Sequence, residues 1–171
     1  MSDRSLSDPS LSDRPVDPLE TSLLFDVFAL NQAVGRLLAD AMQDGPLTPA
    51  EYAVYSAIFE LEAATPTRIA ARLGVRLTTF MDQLRDITQR GHARRLPHPS
   101  DRRSYRVTLT AEGRAAHRAA NERFERAYAA FGVELGPEGP AKAAIRAVRD
   151  AADRAREAVA ASPHPSGGRA G

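Results

Sequence analysis

The chain has 171 residues, 43% of them hydrophobic but only 6% aromatic, with 23 basic against 22 acidic side chains and no cysteine. That length suits one domain, with or without tails, and the missing cysteine excludes disulfides, thiolate metal sites and thiol-based redox sensing. No stretch approaches the roughly 20 apolar residues of a membrane span, and the polar, acidic start lacks the apolar region of a signal peptide, so the expected location is cytoplasmic.

Residues 1–18 repeat a Ser-Leu-Ser-Asp theme with Pro9, Pro15 and Pro18. Such low hydrophobicity predicts a disordered tail. From Leu19 to Met42 a long helix is expected. Its Leu23, Leu24, Val27, Phe28, Leu30, Val34, Leu37 and Leu38 spread round more than one stripe, so it has two faces to bury. Asp44-Gly45-Pro46 ends it. Thr48-Pro49-Ala50-Glu51 opens the next helix as a capping box, and Tyr52, Val54, Tyr55, Ile58 and Leu61 face its core.

The stretch Thr65–Arg95 organises the rest. Thr65 is an N-cap, Pro66 takes the first helical position, and Gly74 supplies the left-handed residue at the end of a short helix. A second helix follows and ends at Gly91. Phe80, Leu84 and Ile87 share its inner face. Thr78, Asp82, Arg85 and Gln89 share the outer one, with Thr79 and Asp86 beside them. A recognition helix needs this layout, because its N-terminal residues meet base edges in the major groove. A solvated amphipathic helix would show the same pattern. His92–Leu96 then reads as a strand, PHPSDRR as a polar tip, and Ser104–Leu109 as a second, half-buried strand with alternating polar and apolar residues. Thr110 caps a helix that reaches about Phe131. Gly136-Pro137 and Gly139-Pro140 punctuate, a last helix runs to about Ala160, and residues 163–171 form a second disordered tail.

Net charge is only +1, but residues 65–114 hold eleven arginines against four acids, +7, which leaves −6 for the remainder. A basic block inside an acidic chain is the footprint of a nucleic-acid-binding face.

Helix, helix, strand, basic tip, strand is a winged helix. RLGVRLTTFMDQLRDITQRG, RRLPHPSDRRSYRVTLTAEG and the earlier LTPAEYAVYSAI resemble the MarR family of bacterial transcriptional regulators. The most specific match is the wing: Asp101-x-Arg103, then Leu109-Thr110-x-x-Gly113. The resemblance implies a mainly α fold with a small β-wing. Its winged helix-turn-helix lobe spans about 47–114, N- and C-terminal dimerisation helices span about 19–43 and 111–160, and all lie in one domain over 19–162. It also implies a homodimeric, sequence-specific, nucleoid-associated repressor, bound to double-stranded DNA at a palindromic operator. Two lobes held one helical turn apart, roughly 34–36 Å, could read two half-sites.

On this reading Thr78, Thr79, Asp82 and Gln83 contact bases, and Arg76, Arg85 and Arg90 meet the backbone. Arg103, with Arg102 beside it, enters the minor groove, and Asp101 holds the Arg103 guanidinium in place. Many family members carry a basic residue where this chain has Asp82, and an apolar one where it has Gln83. Asp82 could accept from a cytosine amino group or pair with Arg85; Gln83 is either partly buried with a partner or available to bases. A small aromatic effector would lie between the dimer helices and the lobe, with Phe28, Tyr52, Tyr55 and Phe59 as lining candidates, although each also reads as plain core. No phosphate-cradling loop, zinc-binding HExxH or nucleophile elbow occurs, and His92, His98, His117 and His164 are scattered. No catalytic residue, metal site or cofactor is therefore expected. The alternative is a winged-helix protein-interaction module that does not bind DNA, which Asp82 and the near-zero net charge favour slightly.

Overall fold

The computed structural model describes residues 22–161; both predicted tails lie outside them, as does the predicted helix start at Leu19. Helix α1 (Leu23–Met42) begins where Ser22 Oγ accepts from the Phe25 N–H at 3.3 Å. Its last turn has no basic residue of its own. Arg123, on a helix far along the chain, donates to the Gln43 and Asp44 carbonyls at 2.9 and 3.5 Å, and so supplies a cation where the helix dipole favours one.

Helix α2 (Pro49–Leu61) opens on the predicted capping box: the Thr48 N–H donates to Glu51 Oε2 at 2.8 Å and the Glu51 N–H to Thr48 Oγ1 at 3.3 Å. Helix α3 (Pro66–Leu73) has Thr65 as its cap and ends at Gly74 with φ 68°. Helix α4 (Leu77–Gln89) closes through Arg90 into Gly91, whose φ is 74°. The two glycines sit where a side chain would strain the backbone, and the sequence placed both.

Strands β1 (Ala93–Pro97) and β2 (Tyr105–Leu109) pair antiparallel, with Ala93 opposite Leu109 and Pro97 opposite Tyr105. The hairpin starts one residue later than expected because His92 is already engaged. Its N–H donates to the Ile87 carbonyl at 3.0 Å, and its Nδ1 lies 2.9 Å from the Tyr55 hydroxyl. Nor does β2 alternate as a half-buried strand: Val107, Thr108 and Leu109 are all buried. The cause is its neighbours. The Val107 N–H donates to the Ala64 carbonyl at 2.8 Å, and α2 packs on the same strand. That bridge holds Glu62 and Ala63 at φ 38° and 60°, a conformation that costs non-glycine residues about 1–3 kcal/mol each.

Helix α5 (Ala111–Leu135) runs one turn past the expected Phe131, as far as Gly136. Helix α6 (Glu138–Ala161) starts ahead of Gly139-Pro140 rather than after it, because Pro140 falls in the first turn, where its missing N–H goes unneeded. Lys142 pairs with Glu138 across that turn.

The core lies in the lobe. Tyr55 and Ile58 of α2, Ile69 of α3, Phe80, Leu84 and Ile87 of α4, and Val107 and Leu109 of β2 are each 2% exposed or less. Each such side chain contributes about 1.5–3 kcal/mol by leaving water. The terminal helices differ. Met42 is the one buried residue of α1, and α6 has none. None of the helices in the described residues is long and apolar enough to cross a membrane.

Candidate nucleic-acid interface

The interface candidates lie on two parts of the lobe, α4 and the β1–β2 tip. On α4, burial of Phe80, Leu84 and Ile87 turns the opposite face outward, so Thr78, Thr79, Asp82 and Arg85 are exposed. The N-terminus of this helix is unlike the others in the lobe. α2 and α3 are capped by Thr48 and Thr65, whereas α4 starts at Arg76 with no side-chain cap and no acid in its first turn. Its first N–H groups are thus open to an outside acceptor, and the helix dipole favours an anion there.

Asp82 pairs with Arg85 at 3.2 Å, both side chains well exposed, so the acid is partly neutralised within the helix. Gln83 is half-buried, and its Oε1 is enclosed without a hydrogen-bond partner. Arg90 departs from expectation. It is bound to Glu51 of α2 at 2.7 Å, which ties the end of α4 to the start of α2 rather than leaving a free cation for a DNA backbone. Burial alone would raise the Glu51 carboxyl; hydrogen bonds from Thr48 and the Arg90 guanidinium outweigh it and hold the group below the usual carboxylate range.

At the tip, Asp101, Arg102 and Arg103 are all exposed. Asp101 does not hold the Arg103 guanidinium, as the sequence suggested. Its Oδ1 accepts from the Arg103 backbone N–H at 2.9 Å, and its carbonyl accepts from the Ser104 N–H at 3.1 Å. The carboxylate fixes the turn and thereby the direction in which Arg103 leaves it. Further down the hairpin, the Arg95 guanidinium lies 4.5 Å from the centre of the Tyr105 ring, and the Tyr105 hydroxyl reaches Met81 Sδ of α4 at 3.6 Å. The hairpin is therefore anchored to α4 next to its tip loop, where Tyr105 pairs with Pro97.

A second joint explains the Leu109-Thr110-x-x-Gly113 signature. The Thr110 hydroxyl donates to the Gly91 carbonyl at 2.7 Å and accepts from the Gly113 N–H at 3.1 Å, while the Thr110 N–H donates to the His92 carbonyl at 3.0 Å. A Cβ at position 113 would overlap that same carbonyl oxygen. One threonine thus caps α5 and clamps the end of α4, and only glycine admits the close approach.

The four aromatic candidates do not share one hollow. Tyr55 is fully buried and bonded to His92, so it is core. Phe28 is exposed on α1, beside Phe25. Tyr52 and Phe59 flank His117 of α5, one of the four histidines that looked scattered in the sequence. Their rings lie 5.4 and 4.9 Å from its imidazole, and Ser56 Oγ lies 3.0 Å from its Nε2. Burial pushes His117 below the ordinary imidazole value, against the pull of Glu60. The signal was present in the spacing of Tyr52, Ser56, Phe59 and Glu60, which fall on one helical face. Phe59 also borders a cavity of about 210 Å³ with Ile58, Glu62, Thr108 and Arg114.

Two short helices joined by a left-handed glycine, followed by a basic hairpin locked to the second of them, define a winged helix-turn-helix protein. Within that class the chain is MarR-like. It superimposes on the transcriptional regulator MosR of M. tuberculosis, solved in complex with DNA, with a TM-score of 0.68 and 25% identity over 79% of this chain and 98% of that one. PcaV of Streptomyces coelicolor, solved with its natural ligand, gives 0.67 and 26% over 81% and 99%. MarR of E. coli, in its apo form, shares the fold with a TM-score of 0.59 and 23% identity over 75% and 96%. In sequence, the HTH-type transcriptional regulator TtmR of Methylorubrum extorquens (strain PA1) is 30% identical over 96 residues, 56% of this chain; the chain spans about half, 49%, of that protein's length. No family model matches the sequence. Of these relatives, MosR, PcaV and TtmR are each named as a transcriptional regulator.

Proposed function

We propose that this protein is a homodimeric transcriptional regulator, a repressor in the cytoplasm that binds a palindromic operator and has no catalytic role. The observation that carries the reading is the N-terminus of α4, exposed and without a side-chain cap, with Thr78 and Thr79 in its first turn. Open N–H groups there suit a phosphate, and the small hydroxyls suit base edges. Thr78, Thr79, Asp82 and Gln83 are the base-contact set. Arg76 and Arg85 serve the backbone, with Arg90 withdrawn to Glu51. Arg102 and Arg103 serve the minor groove, positioned by the Asp101 turn. The exposed apolar side chains of α1 and α6 are the dimer surface, and an aromatic effector would lie against Tyr52 and Phe59 beside His117.

The test is duplex DNA binding across a salt series. Affinity for the DNA upstream of the protein's own gene should fall steeply with salt, as counterion release requires. Arg103→Ala should weaken specific and non-specific binding alike and reduce the slope by about one charge. Binding that is weak and insensitive to salt in the parent defeats the reading; an unchanged slope in the variant removes Arg103 from the interface.

A further inference from the structure

A hollow at the junction of the hairpin and α5 lies away from both α4 and the wing tip. It measures about 490 Å³ and is walled by Arg94 of β1, Leu109 at the end of β2, and Thr110, Ala111, Arg114 and Arg118 around the start of α5. Arg94 stands opposite Thr108 and Arg95 opposite Val107. Arg94 and Thr108 therefore share the hairpin face opposite that of Val107.

Three guanidinium groups line this hollow, and no carboxylate does. Among the described residues none of the three forms an ion pair, although Arg72, Arg85, Arg90 and Arg149 all do. Glu62 borders the adjoining 210 Å³ hollow, which shares Leu109 and Arg114, but it too makes no ion pair there. Like charges gathered round a recess repel unless something neutralises them, and a guanidinium matches carboxylate and phosphate oxygens in pairs. The volume falls in the range of roughly 300–1,000 Å³ typical of small-molecule pockets and exceeds what an inorganic ion fills. Ala111, exposed at the start of α5, offers a small apolar surface to a short carbon skeleton.

We infer that this recess binds a small organic anion of two or more charges, a polycarboxylate or a phosphate ester, held by Arg94, Arg114 and Arg118. The inference stands apart from the proposed operator contacts, none of which it uses. The ligand would bridge the root of the wing to α5 at the joint where Thr110 holds Gly91.

Titration calorimetry on the full chain, at constant ionic strength in chloride, tests it with citrate and glycerol 3-phosphate as probes and acetate as the singly charged control. Saturable binding of one probe per chain is expected, at least tenfold tighter than acetate. Preference for citrate or for glycerol 3-phosphate identifies the head group. Arg114→Gln should weaken binding at least tenfold. So should Arg94→Gln, a substitution on an exposed strand position that checks the result against any folding defect at 114. Probe affinity no better than acetate, or unchanged in both variants, overturns the proposal. So does a loss of salt-dependent DNA affinity in these variants without anion binding, which would make the recess a backbone contact.

Discussion

The lobe and the terminal helices are both helical and alanine-containing, but they relate to the rest of the chain differently. In α4, Phe80, Leu84 and Ile87 are buried by α3 and the wing, and the polar residues face out. In α1 the apolar residues face out as well: Leu24 is 74% exposed, and in α6 Val159 is 75% exposed. The lobe closes its own core; the terminal helices do not. An apolar stripe is evidence of a partner, and only the fold tells whether that partner is in the same chain.

Removing residues 137–171 sharpens this contrast most. If α6 serves the dimer and the lobe does not need it, the truncated chain keeps its lobe but shifts toward monomer. The second half-site contact is then no longer intramolecular, and apparent operator affinity should fall by about 10²–10⁴-fold. Sedimentation and a binding assay on the same samples check both. A truncated chain that remains dimeric assigns the interface to α1 and α5; a full chain that is monomeric at micromolar concentration, yet prefers a palindrome, removes the dimer argument.

The complementary break is Phe80→Ala. The side chain is wholly enclosed, so its loss should cost about 3–5 kcal/mol, including the cavity it leaves. Because the cost arises inside one lobe, the change in melting should not depend on protein concentration, in contrast to any substitution on the exposed faces of α1 or α6. A concentration-dependent loss would mean that the lobe is itself stabilised by the partner.

At the interface the expected effects are smaller. Thr79→Ala or Gln83→Ala should alter preference among operator variants by about 1–3 kcal/mol at the contacted base pair, with non-specific affinity little moved. Gln83 carries a further expectation. Its enclosed Oε1 lacks a partner, and an unsatisfied buried acceptor costs stability, so Gln83→Met should raise the melting temperature even if it harms operator choice. Selection of the same DNA motif by parent and variants would count against base contact.

What could be read from the sequence follows the range of each interaction. The Thr48–Glu51 box, the Thr65 cap, Gly74, Gly91 and the inner face of α4 depend on residues within one or two turns, and all were legible. The wing was legible as a hairpin but not in its register, because His92 is taken by Ile87 and Tyr55. The Arg90–Glu51 pair was not legible because its partners are 39 positions apart in sequence. Asp101 was assigned to the right residue but the wrong atoms: spacing shows that a carboxylate can reach position 103, not whether it takes the backbone N–H or the side chain. The recess formed by Arg94, Arg114 and Arg118 joins a strand to a helix, and no periodicity records that.

The smallest expected effect concerns His117, and it lies at the boundary between the two regions, where α5 meets α2. Burial depresses its pKa, so the folded chain holds fewer protons than the unfolded one in the range between the folded value and the ordinary value of about 6.5. Stability therefore rises with pH across that window. The contribution is complete above the unfolded value and is lost as pH falls through the folded one. Glu51 behaves likewise at lower pH: its depressed carboxyl contributes above the ordinary carboxylate value and loses that contribution in acid. The two windows are separate, so denaturant melts at a series of pH values can assign them. His117→Gln keeps a polar partner for Ser56 but cannot titrate, and it should flatten the slope near neutrality while leaving the acid limb in place. Glu51→Gln should do the reverse and also free Arg90. A slope near neutrality that survives His117→Gln would place the titrating group elsewhere.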